Sequence, residues 1–189
     1  VYNNTIGAPN YAYWDFFRIA KTANPALKTA LYSTWEDNRT KLLGEGIPEA
    51  GGHKLDYYFD GLEHQTSLYP HDAEANYIKA IDQAVAADAL RHLKSEAPDL
   101  SWLYLQYTDD VGHALGDHGR DAETGKHHGG QSDRERTIWM ASNHSHFDVS
   151  TDRAAAMVDI LPTLLDHLQV SAPAEITQQL DGASLLSKN

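Results

Sequence analysis

The side chains able to do chemistry gather in one stretch of this chain. Of 11 histidines in 189 residues, six (His113, His118, His127, His128, His144 and His146) fall within 34 positions. The densest part opens with Asp109-Asp110-Val111-Gly112-His113, continues after Ala114-Leu115-Gly116 into Asp117-His118-Gly119-Arg120, and closes on Gly125-Lys126-His127-His128-Gly129-Gly130. Asp109 and His113 offer one hard oxygen and one imidazole nitrogen, and Gly112 is expected to let the backbone bend between them. The chain has no cysteine, so any metal must be held by His, Asp and Glu, a donor set that suits zinc. Asp109, His113, Asp117, His118 and His128 make five candidate ligands, more than one catalytic zinc needs, because such an ion keeps a position open for water or substrate. Two ions about 4 Å apart could share them and clamp the attacking and leaving oxygens of an in-line displacement at phosphorus. A lone Asp-His pair is more often an ordinary hydrogen bond; it is the three clusters together that point to metal.

The elements around these clusters are expected to alternate. The apolar positions Trp14, Phe17, Ile19 and Ala20 indicate a short helix over residues 14–22, ended before Asn24-Pro25. Leu27 to Ser33 reads as a strand, residues 44–52 as a glycine-rich loop, and Leu55 to Phe59 as a second short strand. Asp72 is a plausible N-cap for the longest helix, in which Tyr77 or Ile78, Ile81, Val85, Ala89 and Leu93 recur every three or four residues up to about Ser95. Leu100 to Tyr107 is apolar on both faces, as in a central strand of a parallel sheet, and delivers Asp109 to the carboxyl end of that strand, where open α/β sheets bind ligands. Thr137 to Ser142 (TIWMAS) reads as another buried strand, and a helix is expected over Met157 to Val170 with Pro162 near its first turn. The alternation indicates an α/β domain with a largely parallel sheet.

The remaining features narrow the function. A chain of this length can bury roughly 70% of its unfolded surface, so residues 1–189 are expected to form a single domain. The net charge of −12 leaves no basic face for a nucleic-acid duplex, although a nucleotide could bind through metals. No apolar run has the length of a membrane span. His144, His146 and Asp148 (HSHFD) could be further ligands, but they lie past the strand in a polar loop and a solvated loop is the plainer account; His53, His64, His71, His92 and His167 are read as ordinary surface or packing residues. Trp35 could stack on a base, but packing at the domain edge is the plainer role.

The residues from Asp117 to Asn143 (DHGRDAETGKHHGGQSDRERTIWMASN), the DDVGH box and the VDILPTLLDHLQV segment together resemble the type I phosphodiesterase and nucleotide pyrophosphatase family of the alkaline phosphatase superfamily. The early segments YWDFFRIAK and YSTWEDNRTKLLGE extend the likeness over nearly the whole chain. The resemblance implies an alkaline phosphatase-like three-layer α/β sandwich, incomplete here, and two zinc ions. Asp109, His113 and His128 match the ligands of one ion, and Asp117 and His118 match two ligands of the other. Arg120, Asp121 and Lys126 could at most support them. The implied mechanism has a metal-activated Thr or Ser attack phosphorus to give a covalent phospho-enzyme. The chain departs from the family in two places. The strand with a further Asp ligand and the loop with the nucleophile are expected to precede Val1, and neither Thr5 nor Thr34 has the right context to replace the latter. A helix and a strand that normally separate DDVGH from DHGR are also missing, and the three residues left there span at most about 10 Å.

The expected activity is therefore metal-dependent hydrolysis of phosphodiester or pyrophosphate bonds in a small nucleotide or other phosphate-ester substrate. The alternatives are a phosphomonoesterase or sulfatase-like hydrolase, since the shared metal core serves several esters, and an inactive metal-binding remnant. A periplasmic or secreted location is suggested by the resemblance alone.

Overall fold

The computed structural model describes residues 11–116, 120–148 and 154–187. Three parallel strands form the sheet, in the order β2-β1-β3: β1 is Thr29–Ser33, β2 Tyr57–Phe59 and β3 Leu100–Tyr104. The central β1 is buried along its whole length, and Leu31 sits in register with Tyr58 on one side and Trp102 on the other. The result is a mixed α/β fold with a small parallel sheet.

Helices cover both faces. Helix α1, Phe16–Ala23, starts where the Asp15 carboxylate accepts the Arg18 N–H at 2.9 Å, and it ends at Asn24 ahead of Pro25. Helix α2, Asn76–Glu96, is the longest. Its start is held by Asp72, whose carboxylate accepts the N–H groups of Asn76 and Tyr77, each at 3.0 Å, although the formal cap position is Ala75. Ile81, Val85 and Ala89 of α2 pack on Ala30 and Tyr32 of β1. On the opposite face, Phe17 and Ala20 of α1 meet Leu31 and Leu100, with Leu164 and Leu168 of α5 (Ile160–Leu168) alongside. Alternate residues of β1 thus serve two cores, and burying each large apolar side chain contributes about 1.5–3 kcal/mol. The other helices are α3 (Tyr107–Leu115), α4 (Asp133–Arg136) and α6 (Ala174–Thr177).

Two expectations are corrected. Leu100 to Tyr107 is not a central strand: β3 ends at Tyr104, residues from Tyr107 on are helical, and no other described strand pairs with its outer side. Its burial follows the pleat, with Leu100 covered by α1 and Leu103 44% exposed. Thr137 to Ser142 is not a buried strand either. That segment makes no ladder, and Ile138 and Trp139 are 51% and 88% exposed. It follows the charged helix α4 over the surface, where no described strand takes up its backbone groups.

Candidate metal centre

Helix α3 begins just beyond the carboxyl end of β3. Asp109 and His113 lie one turn apart on it, so their side chains share a face. The start of α3 is fixed from below by Asp82 of α2, whose carboxylate accepts the N–H groups of Tyr107 at 2.8 Å and Gln106 at 3.2 Å and the Thr34 hydroxyl at 2.5 Å. A buried carboxylate thereby ties the end of β1, helix α2 and the N-terminus of α3 into one unit. Thr34 is fully buried in this contact.

His128 reaches the same place from the loop after α3. One ligand atom from each of Asp109, His113 and His128 lies within 4.8 Å of the others, and among the described residues no other group of three acidic or imidazole side chains is gathered so closely. Asp109 Oδ1 stands 3.1 Å from His128 Nε2, Oδ2 stands 3.5 Å from His113 Nε2, and the two imidazole centres are 5.0 Å apart. Two donors bound at about 2.0–2.2 Å on a tetrahedral ion are themselves separated by about 3.3 Å. The spacing therefore fits zinc with little rearrangement. Half of the His128 side chain and 44% of that of His113 are exposed, so one side of the group remains open to a substrate. Asp117 and His118, the remaining candidate ligands, lie outside the described residues.

Asp109 is set by Arg120 and Gln106. Arg120 is 7% exposed and donates through Nη2 to Asp109 Oδ1 at 2.7 Å and to the Asp109 carbonyl at 3.0 Å. Gln106 Nε2 donates to Oδ2 at 3.1 Å, and Gln106 Oε1 accepts from Trp35 Nε1, also at 3.1 Å. Burial acts to raise the Asp109 carboxyl, but the Arg120 hydrogen bond and the charges of His128, Arg120 and His113 outweigh it and hold the group below its ordinary value. Asp109 is thus an anionic donor. Burial and the neighbouring Asp109 push Asp110 the other way, and its Oδ2 is buried with no hydrogen-bond partner among the described residues.

Comparison with protein-family models, curated proteins and solved structures finds no match to this chain.

Gly112 does not bend the backbone, as its spacing between Asp109 and His113 suggested. It lies within α3, and its role is steric: a Cβ added there would fall on the guanidinium of Arg120. Arg120 and Asp82 are the residues that sequence reasoning undervalued. Asp82 carried a signal, because it interrupts the stripe formed by Ile78, Ile81 and Val85, where an acidic side chain is tolerated only with partners. Asp121 folds its own loop, accepting from the Thr124 N–H and hydroxyl and from the N–H groups of His127 and Glu123. Trp35 is half-buried and is engaged with Gln106 through its indole N–H.

Proposed function

We propose that this chain is a metal-dependent hydrolase of phosphodiester or pyrophosphate bonds in nucleotides, built on the plan of the type I phosphodiesterase and nucleotide pyrophosphatase family. The observation that carries the proposal is the convergence of Asp109, His113 and His128 at the carboxyl end of β3. The three-layer sandwich of the alkaline phosphatase superfamily belongs to the same proposal, supported by a parallel sheet with helices on both faces. Zinc held by these donors would supply Lewis-acid stabilisation of charge developing on phosphoryl oxygens. The chain's own residues do the rest. Asp109 supplies an ionised oxygen, Arg120 and Gln106 fix its orientation, and Asp82 anchors the helix that carries it.

No nucleophile is assigned. Thr34 is unsuited, since its hydroxyl is buried and donates to Asp82, and this observation favours zinc binding without turnover as the second reading. The test is zinc retention by the purified chain, followed by assay of a nucleotide phosphodiester, a nitrophenyl phosphate monoester and a sulfate ester, with and without chelator. Zinc retention with only weak, chelator-sensitive turnover, of the diester above the other two, is expected, because the chain supplies no assigned nucleophile. Zinc retention with no turnover of any ester would favour the second reading, and failure to retain zinc would overturn both.

A further inference from the structure

We propose that His144, His146 and His167 form a second transition-metal site, which takes zinc or another ion that prefers imidazole and does not depend on the function proposed above. Three separate segments build it. His144 and His146 stand in the loop before Asp148, His167 lies in the last turn of α5, and Leu186 and Ser187 close one side. The loop is tied down. Phe147 forms an antiparallel bridge with Leu186, Asp148 N–H donates to the Leu185 carbonyl, and Ser187 N–H donates to the His146 carbonyl, the last two at 2.8 Å. The C-terminal segment is anchored on α5 in turn, where Leu185 N–H donates to the Thr163 hydroxyl at 2.9 Å.

Two of the three ring spacings, both to His144, suit a shared ion. His144 and His167 stand edge to face with centres 5.1 Å apart, and His144 and His146 are 5.7 Å apart. Imidazoles bound to one tetrahedral ion through metal–nitrogen bonds of about 2.0–2.1 Å have centres about 5 Å apart. Between the rings and Asp166, Gln169 and Ser187 lies a cleft of about 290 Å³. Its charge selects a cation: the carboxyl end of a nine-residue helix places partial negative charge there, and Asp166 adds a carboxylate. Its donors select among cations, since calcium and magnesium require oxygen-rich shells whereas imidazole suits zinc, copper and nickel.

Binding demands one local change. His144 Nδ1 accepts the His146 N–H at 3.2 Å, so the neutral ring carries its proton on Nε2. Ligation through Nε2 moves that proton to Nδ1 and gives up this long hydrogen bond. The three ligand atoms are less tightly gathered than those of Asp109, His113 and His128, and the rings close on the ion by side-chain rotation.

The experiment is zinc equilibrium dialysis of the full chain carrying His113→Ala and His128→Ala, which disables the first group. This variant is expected to retain one zinc, and adding His144→Gln or His167→Gln should weaken that binding by at least about tenfold, the lower end of what perturbing a metal site's support produces. His53→Gln, at an exposed and distant imidazole, should leave it unchanged. A second measurement uses the unsubstituted chain: diethylpyrocarbonate labelling mapped by mass spectrometry, in which zinc should protect His144, His146 and His167 as a set. Retention unaffected by the His144 and His167 substitutions, or labelling of those three unchanged by zinc, overturns the proposal.

Discussion

Replacing Gly112 by alanine sets two effects of opposite sign against each other. The residue lies inside α3, so helix propensity alone predicts stabilisation by about 0.8–1 kcal/mol. The added methyl group, however, falls on the guanidinium of Arg120. That group can move aside only by leaving Asp109, and it would strain its 3.3 Å bond to the Lys126 carbonyl as well. A hydrogen bond to a charged group is worth about 1.5–3 kcal/mol when sheltered, but the Asp109 side chain is 35% exposed and its pair with Arg120 is discounted to about 1 kcal/mol. The two carbonyl bonds add about 1 kcal/mol more between them. The net expectation is destabilisation by about 1 kcal/mol, a fall in Tm of about 2–4 °C for a chain of this size. Zinc affinity should drop about 10- to 100-fold, as it does when a residue orienting a metal ligand is lost. Thermal unfolding and zinc competition against a chromophoric chelator, applied to Gly112→Ala, Arg120→Ala and the double variant, check both effects. With Arg120 already removed, the same glycine-to-alanine change should stabilise. A higher Tm and unchanged zinc affinity for Gly112→Ala alone would refute the steric argument.

Asp82→Ala should lower stability by about 2–4 kcal/mol in urea unfolding, because it strands the Gln106 and Tyr107 N–H groups beneath the site and leaves the Thr34 hydroxyl only its longer bond to the Tyr104 carbonyl; a loss under about 0.5 kcal/mol would show that these donors find other partners. The Asp121 carboxyl is held well below its ordinary value, first by the Thr124 N–H and then by the Thr124 hydroxyl and the His127 N–H. Its folded value lies below its unfolded one, so its contribution is complete above the unfolded carboxyl pKa of about 4 and fades as pH falls toward the folded value. Amide exchange at Thr124 and His127 should therefore gain an opening component on acidification, which Asp121→Ala displays already at neutral pH; identical exchange in both proteins would exclude the loop lock. Zinc bound by Asp109, His113 and His128 should be lost on acidification, since protons compete with the ion for the imidazole nitrogens, and zinc retained unchanged down to about pH 3 would exclude imidazole ligands.

Local periodicity made parts of this architecture legible. Ile78, Ile81, Val85 and Ala89 follow the helical repeat, and all four are buried on one face of α2. Leu27 to Ser33 and Leu55 to Phe59 contain β1 and β2 because short apolar runs between turn residues have few other places to go. The same reasoning misled at Thr137 to Ser142: an apolar run states that it could be covered, and which element covers it is a non-local fact. β3 departs from the central-strand expectation for the same reason: its composition suits a central strand, whereas its neighbours decide that it has an exposed outer side among the described residues. Asp109 and His113 are visible as a pair of donors and Arg120 as a supporting candidate, but the specific pairing of Arg120 with Asp109, 11 positions away, is a tertiary fact. His167 looked ordinary because its approach to His144 depends on how α5 docks on the loop, 23 positions away in sequence.

The two groups of donors also differ in how much of their geometry exists before an ion arrives. Around Asp109 the neighbours that are not ligands have already fixed the ligand: Arg120 holds one carboxylate oxygen, Gln106 holds the other, and Trp35 holds Gln106. The His113 and His128 nitrogens sit at 3.5 and 3.1 Å from those oxygens, close to the separation of donors around a single bound ion. An ion entering there orders little that is not already ordered, and preorganisation of this kind is recovered directly as affinity. At His144, His146 and His167 the backbone is anchored, but binding must move a proton across His144 and release its contact with the His146 amide. Zinc added in less than one equivalent should therefore populate Asp109, His113 and His128 first, and the loop histidines only after that group is filled.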